Sequence, residues 1–383
     1  MKILIVSHGI PSKEDPQWGC FELDQARALS SLGHHVTLAA IDGRSRLYWR
    51  KIGIKRTAFE DIKAYLLFLF PLNAVIFKSL RRKIRGRMMD SLISRIVKEE
   101  GAPDIIYAHY LFSMDALGRA QKRFPGIPIV GIEHWSELNK PTLSHSMMES
   151  GRNAYRVADR LLAVSPSLQD QIKKHFGKDS EVVYDMVEET FLQADLVSRL
   201  GTDAPFVFAS CGSLIPRKGF DVLLKAFAKT EDKNSKLIIL GDGPEKANLQ
   251  ELAETLGISA RVDFRGMVSR EGIAEVYAHS SAYALATRAE TFGVSYIEAM
   301  AMGLPVIATR CGGPEHFVTD QCGYLLEVDD EDALVAAMNS IQKEYDRFDP
   351  AGIREYVRSR FSGEEIARQL EQIFAEEIEK KKQ

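Results

Sequence analysis

A chain of 383 residues is too long for one ordinary hydrophobic core and suits two domains of about 150–200 residues each. Its 45% hydrophobic and 27% charged content excludes a low-complexity or disordered chain. A formal net charge of −3 excludes the basic footprint of a nucleic-acid-binding protein, so no nucleic-acid partner is expected.

The four cysteines, Cys20, Cys211, Cys311 and Cys322, show neither CxxC spacing nor a matching His cluster. That argues against a zinc site and a disulfide framework and for a reducing, cytoplasmic setting. The first apolar run, Ile3–Ser7, lacks the length and cleavage site of a signal peptide and predicts a buried strand.

In chain order, the first half predicts strands at Ile3–Ser7, Val36–Ala40, Ile105–His109, Pro128–Ile132 and Leu161–Val164, with helices at Phe21–Leu32 and Arg87–Glu100. Gly33 and Gly101 stand where helix C-caps belong. Between them lies the most membrane-like stretch, Ala64–Phe77, interrupted by Pro71 and followed by Lys78, Arg81, Arg82, Lys83, Arg85 and Arg87. It falls short of the roughly 20 residues that span a bilayer. Two readings stand side by side: a core helix followed by a solvated basic helix, or a segment at 64–87 lying on an anionic membrane surface.

The second half restarts the alternation, with strands at Phe206–Ser210, Leu237–Leu240, Arg261–Phe264, Ala282–Leu285 and Pro305–Thr309. Helices are expected at Phe220–Lys229, Glu245–Leu256, Glu271–His279 and Val294–Met302. Strand and helix in alternation predict α/β units with parallel sheets, and the polar stretch from Tyr184 to Ala204 marks the boundary between two of them.

Open parallel sheets bind ligands beyond the carboxyl ends of their strands, where helix N-termini offer free N–H groups to anions. Four loops of the second half qualify. In Cys211–Phe220, small residues around Gly212 let the backbone approach a ligand, while Arg217 and Lys218 bring two cations to a helix start. That placement opposes the helix dipole unless an anion is nearby. The loop around Gly243 has a glycine turn and a proline at a first helical position, and alone is no more than a helix entry. Gly266-Met267-Val268 suits a nucleotide base edge and a plain turn equally well. The fourth loop flanks a helix entrance with two carboxylates: Glu290 before it, then Phe292, Gly293 and Val294 with their backbone N–H groups, and Glu298 about one turn inside, where it could accept hydrogen bonds from a ribose diol. A capping acid and a solvated helix residue explain the two glutamates as well.

This ordered set resembles the family 4 (group 1) retaining glycosyltransferases, and the resemblance covers nearly the whole chain. It rests on Glu290-Thr291-Phe292-Gly293 and Glu298, the following Gly303-Leu304-Pro305-Val306-Ile307-Ala308 and Gly312-Gly313-Pro314-Glu315, with Arg217-Lys218-Gly219 and Gly241-Asp242-Gly243-Pro244 upstream. The resemblance implies the GT-B architecture, an α/β fold of two Rossmann-like domains with parallel sheets facing across a cleft. Residues 1–185 would take the acceptor, residues 186–362 the nucleotide sugar, and a C-terminal helix at about 363–383 would pack back on the first domain.

By the same resemblance Lys218 binds the donor diphosphate, Glu290 approaches the donor sugar and Glu298 holds the ribose. Phe292, Gly293 and Val294 contact phosphate and sugar, and Gly212, Arg217, Gly243 and Val268 join the donor site. In the first half, Ser7-His8-Gly9 and Gly19 match a loop whose backbone reaches the diphosphate, and His134 matches a histidine beside the transferred sugar. Two departures stand out. Ser213 replaces a family arginine of the phosphate clamp, for which Arg217 would compensate, and Tyr184-Asp185-Met186-Val187-Glu188 replaces the usual Asn-Gly-Val-Asp junction.

The implied reaction is retaining transfer of a sugar from a nucleotide diphosphate sugar, UDP-linked, to a saccharide or lipid-linked acceptor in cell-envelope or exopolysaccharide synthesis, at the cytoplasmic face of the membrane. No carboxylate of the motif is placed for double displacement. The resemblance implies front-face substitution instead, with the departing phosphate taking the acceptor's proton. No metal or cofactor is expected, because Asp330-Glu331-Asp332 reads as the acidic start of a helix at Ala333–Gln342. The alternatives are a GT-B nucleotide-sugar epimerase and a non-catalytic nucleotide-sugar-binding protein. A nicotinamide dehydrogenase is disfavoured, because neither first loop carries Gly-x-Gly-x-x-Gly.

Overall fold

A computed structural model describes residues 1–12, 15, 18–44, 51–69, 78–196 and 204–383. The chain divides into two compact units, one of Met1–Tyr184 with Gly363–Gln383 and one of Asp185–Ser362.

The first unit carries β1 (Lys2–Val6), α1 (Cys20–Ser31), β2 (His35–Asp42), β3 (Gly53–Phe59), β4 (Ile62–Phe68), α2 (Lys78–Glu100), β5 (Ile105–His109), α3 (Leu111–Ala116), α4 (Gly118–Arg123), β6 (Ile129–Glu133), α5 (His145–Val157), β7 (Arg160–Ala163), α6 (Pro166–Phe176) and β8 (Glu181–Val182). Its sheet has the order β3-β4-β2-β1-β5-β6-β7-β8, parallel throughout except for the antiparallel pair β3 and β4. The central strands are apolar runs because helices cover both faces of a parallel sheet: Ile3, Leu4, Ile5 and Val6 of β1 are all buried. Side-chain caps start the later helices, with Ser144 accepting from the Met147 N–H and Ser165 from the Leu168 N–H.

The expected strands of this half all occur, and the membrane-like stretch is a correction. Ile62–Phe68 is neither a core helix nor a surface-lying one. It is strand β4, hydrogen-bonded between β2 and β3, with Ala64, Tyr65, Leu66 and Leu67 buried. Residues 70–77 lie outside the described residues. The apolar run conceals the end of the strand, and β3 (Gly-Ile-Lys-Arg-Thr-Ala-Phe) escapes a pattern search because it is a charged, exposed edge strand.

The second unit carries α7 (Glu189–Gln193), β9 (Val207–Cys211), α8 (Phe220–Lys229), β10 (Lys236–Leu240), α9 (Lys246–Thr255), β11 (Val262–Gly266), α10 (Arg270–Ala278), β12 (Ala282–Ala284), α11 (Val294–Ala301), β13 (Val306–Thr309), β14 (Gly323–Leu326), α12 (Glu331–Lys343) and α13 (Pro350–Phe361). Its parallel sheet runs β11-β10-β9-β12-β13-β14. The strand order reverses between β9 and β12, and at that switch point the loops after these two strands lie side by side.

The last helix, α14 (Gly363–Lys382), returns to the first unit and packs on α1, with Leu370, Ile373 and Phe374 buried. Arg160 donates to Glu376 at 2.6 Å, and Lys381 pairs with Asp159 at 2.7 Å. Among the described residues no helix is long and apolar enough to cross a membrane.

Candidate active site

In the second unit, the loops after neighbouring strands are laced by backbone. The Gly212 N–H donates to Leu240 O at 3.0 Å, Leu214 N–H to Asp242 O at 2.9 Å, and Gly241 N–H to Gly266 O at 2.8 Å. A Cβ at Gly243 would collide with the Leu214 carbonyl, so the packing of loop on loop requires a glycine there. Gly212 lies beneath the aliphatic part of Lys218, where an added Cβ would sit 3.6 Å from Cδ and Cε. Gly219 adopts φ +66°, and a Cβ there would strike the Ala286 carbonyl. This close approach brings the Arg217-Lys218 corner against the loop that follows β12.

The sequence motifs assign Lys218 and Glu290 to different parts of a donor. In the structure they form an ion pair, the Lys218 ammonium donating to Glu290 Oε1. Arg217 Nη1 lies 3.5 Å from the other carboxylate oxygen and donates to Ala289 O, and Thr287 Oγ1 donates to Glu290 Oε1 at 3.3 Å. The buried Glu290 carboxylate therefore has cations on both oxygens. It is not a helix-capping acid: the α11 N-cap is Gly293, at φ 103° and without a side-chain cap.

Phe292 buries its side chain against Phe317 and Phe361 at 5.1 and 5.5 Å between centroids. Only its backbone borders the helix entrance. Val294 opens α11, and Glu298 sits half-buried farther along the same helix. Val268 stands after β11 at the far edge of the sheet, three strands from the β12 loop that carries Glu290. Ser213 is exposed, and Arg217 is committed to the Glu290 side of its loop.

Two thiols border this region. Burial, reinforced by Glu298, pushes the Cys211 thiol up to about 12, and burial with Glu290 does the same for Cys311. Neither is a thiolate nucleophile at neutral pH. Asp330 is the α12 N-cap, accepting from the Ala333 N–H at 2.9 Å. Among the described residues no three His, Cys, Asp or Glu side chains converge as a metal site.

In the first unit, Gly19 and His134 come to the same end of the sheet. Gly19 takes φ +85° as the α1 N-cap, where a Cβ would strike Gly9, so the loop after β1 folds tightly over itself. The Trp18 indole N–H donates to His8 Nε2 at 3.1 Å, and the rings of His8, Tyr110, His134 and His109 follow at centroid separations of 5.2, 5.1 and 5.2 Å. Two buried acids anchor this array. Glu22 accepts from Ser7 Oγ at 3.1 Å and the His8 N–H at 3.0 Å. Burial works to raise its pKa, but hydrogen bonding with His8 and the imidazole charges outweigh burial and hold it at about 2. Glu133 accepts from the N–H groups of Leu111, His134 and Trp135 and from the Tyr155 hydroxyl, so one side chain fixes both the His134 loop and the start of α3.

Glu22, His109 and Glu133 are not among the sequence candidates. Glu22 is hidden in the pattern of an amphipathic helix. His109 and Glu133 each close a buried strand at its carboxyl end, a positional signal that was available.

The family model for glycosyl transferases group 1 matches residues 197–360, and that for glycosyltransferase family 4 matches residues 23–190. The chain belongs to the family 4, group 1 glycosyltransferases. Among its relatives is the N-acetyl-alpha-D-glucosaminyl L-malate synthase of Bacillus anthracis, 29% identical over 71% of this chain and 74% of the relative. A Bacillus subtilis glycosyltransferase provisionally assigned to teichuronic acid biosynthesis is 25% identical over 90% of both chains. The solved structure of Anabaena HepE with UDP-glucose superposes at a TM-score of 0.73, with 20% identity, covering 98% of this chain and 100% of that one. The fold is GT-B, with two α/β units built on parallel sheets.

Proposed function

We propose that this glycosyltransferase moves a sugar, with retention of anomeric configuration, from a UDP-sugar to a saccharide or lipid-linked acceptor without a metal ion. The observation that carries the reading is the Lys218–Glu290–Arg217 cluster at the switch point of the second sheet, next to the α11 entrance. Breaking a sugar–phosphate bond builds negative charge on the departing diphosphate and positive charge on the sugar, so the site must answer both. Lys218, Arg217 and the N–H groups at Phe292, Gly293 and Val294 serve the diphosphate, which is why no metal is invoked. Glu290 steadies the sugar, and Glu298 holds the ribose.

Gly212 and Gly243 let the donor approach the backbone, Val268 borders the base, and the unit of Asp185–Ser362 is the donor unit. Met1–Tyr184 takes the acceptor, with Gly19 offering its backbone to the diphosphate and His134 beside the transferred sugar. The reaction is front-face: the leaving phosphate oxygen takes the proton of the attacking acceptor hydroxyl. The UDP-glucose complex of HepE supports the choice of donor, and the name of the Bacillus subtilis relative supports cell-envelope glycan synthesis, which we place at the cytoplasmic face of the membrane.

The test is a screen of nucleotide sugars against saccharide and lipid-linked acceptors, with and without EDTA, read by mass spectrometry and by NMR of the new anomeric centre. A UDP-sugar consumed at a chelator-independent rate, with retained configuration, is the expected result. An inverted product, or a rate abolished by EDTA and restored by a divalent ion, overturns the mechanism.

A further inference from the structure

Arg217 and Lys218 ride on a single 3₁₀ turn, Pro216–Lys218, which ends at Gly219 with φ +66°. A turn this short holds itself weakly: the Lys218 N–H donates to Ile215 O at 3.0 Å and the Gly219 N–H to Pro216 O at 3.3 Å. Its place is therefore set from outside, and the ties come from the loop that follows β12. The Arg288 N–H donates to Arg217 O at 2.8 Å, and Thr287 Oγ1 donates to the same carbonyl at 3.2 Å. Two arginines also cross between the loops in opposite directions. Arg217 Nη1 donates to Ala289 O, and Arg288 Nη1 donates to Pro216 O.

The Arg288 guanidinium reaches beyond this corner. Nη1 and Nη2 donate to the two carboxylate oxygens of Asp221, at 3.0 and 2.9 Å, and Nε donates to Asp329 Oδ1 at 2.6 Å. Asp221 lies in the first turn of α8, directly after the corner, and Asp329 follows β14. A planar guanidinium that meets a carboxylate through two parallel N–H groups is fixed in orientation as well as in distance. Asp329 itself holds φ +60°, an uncommon backbone for a residue with a side chain and one that persists where its surroundings fix it. The Arg288, Asp221 and Asp329 side chains are 29%, 38% and 52% exposed, and ion pairs so open to water add little to stability. What this clamp supplies is a position.

We propose that Arg288 is a positioning residue that fixes the Lys218 corner against the loop carrying Glu290, and so sets the spacing between the cation for the diphosphate and the carboxylate for the sugar. The inference rests on the roles of Lys218 and Glu290 in the proposed function. Every residue of the clamp belongs to the second unit. The guanidinium is committed to Asp221, Asp329 and Pro216 O, so Arg288 acts through Lys218 and not on a ligand.

The experiment compares Arg288→Ala, Arg288→Lys, Lys218→Ala and the Arg288→Ala, Lys218→Ala double variant of the full chain. It uses steady-state kinetics with the donor and acceptor found in the screen, and hydrogen exchange without substrate. Arg288→Ala should unfold near the wild-type temperature and lose about 10-fold in kcat/KM, less than Lys218→Ala, because the backbone ties of the corner remain. Millimolar guanidinium should restore part of that loss and none of the Lys218→Ala loss. Arg288→Lys should recover little, since an ammonium cannot span Asp221, Asp329 and Pro216 O together. With Lys218 already removed, Arg288→Ala should cost less than about twofold. In Arg288→Ala the amides of Leu214–Phe220 should exchange faster by about 10-fold. If Arg288→Ala does not fold, Asp221→Asn removes the bidentate partner and takes its place in every comparison. The same loss from Arg288→Ala with and without Lys218, an unaltered kcat/KM in the folded variant, or unaltered exchange at the corner overturns the inference. Failure of the proposed function shows separately, as a wild type that turns over no nucleotide sugar, while the exchange result reads the clamp alone.

Discussion

The Lys218 ammonium and the Glu290 carboxylate neutralise one another, so replacing either disturbs both. Lys218→Ala should lower kcat/KM by about 10²–10³-fold, since removing one donor to developing charge costs about 2.7–4 kcal/mol in a water-poor site. Arg217→Ala should cost less, because its guanidinium is the more distant partner at 3.5 Å. Steady-state kinetics with the identified donor decide this, and near-normal efficiency in a folded Lys218→Ala would remove this loop from the reaction. The two glutamates should separate. Glu298→Ala should raise the KM for the nucleotide sugar, whereas Glu290→Gln should lower kcat with a smaller effect on KM. Equal effects of both on affinity and rate would sink the division of roles.

At the scale of elements, helix α2 is committed inward as much as outward. Arg82 of α2 pairs with Glu149 of α5 at 2.7 Å and faces Asp115 of α3 at 3.8 Å. Lys83 and Arg87 are exposed, as is Leu80. If these residues meet an anionic bilayer, the wild type should sediment with anionic vesicles at low salt and release at high salt. Lys83→Glu with Arg87→Glu should weaken partitioning by on the order of 1 kcal/mol per lost cation. No vesicle binding at low salt would end the membrane reading.

Asp115 makes a second test of the same helix packing. Burial raises its pKa from 3.8 to about 6 against the opposing pull of Arg82 and Ser150. The folded state therefore holds an extra proton between those two values, and this contribution to stability is present at acid pH and lost as pH rises through about 6. Asp115→Asn should raise Tm at about pH 8 by an increment worth on the order of 1–2 kcal/mol and give no gain near pH 4. A loss of Tm at the higher pH would show that the Arg82 contact outweighs the burial.

For the whole molecule, the decisive long-range contact is α14, whose Ile366, Leu370, Ile373 and Phe374 are buried in the first unit. Each such side chain contributes roughly 1.5–3 kcal/mol by leaving water, so together they rival the 5–15 kcal/mol net stability of a typical domain. Deleting residues 363–383 should abolish cooperative thermal unfolding of the first unit, and Phe374→Ala should cost about 3–5 kcal/mol in chemical denaturation. Unchanged unfolding of the truncated chain would make α14 an appendage.

The alternation of apolar runs with helical stretches predicts β1, β2, β5, β6 and β7 of the first sheet and β9 to β13 of the second, because a strand buried on two faces needs a continuous apolar run and leaves that mark in composition. The edge strand β3 and the partner strand β4 leave no such mark, one being charged and exposed and the other merging into a longer apolar run. Lys218 and Glu290 are legible as candidates in loops beyond strand ends, and His134 as a candidate only through the family resemblance. The sequence by itself determined the fold class and the family. Only the tertiary structure decided that Lys218 and Glu290 are one ion pair, that Glu22 and Glu133 accept from the backbone N–H groups of His8 and His134, and that His109 Nδ1 lies beside His134 Nε2. Those facts depend on which strand lies beside which, through the order β1-β5-β6 in one sheet and β9-β12 in the other, and neighbourhood in a sheet is set by crossover connections rather than by distance along the chain.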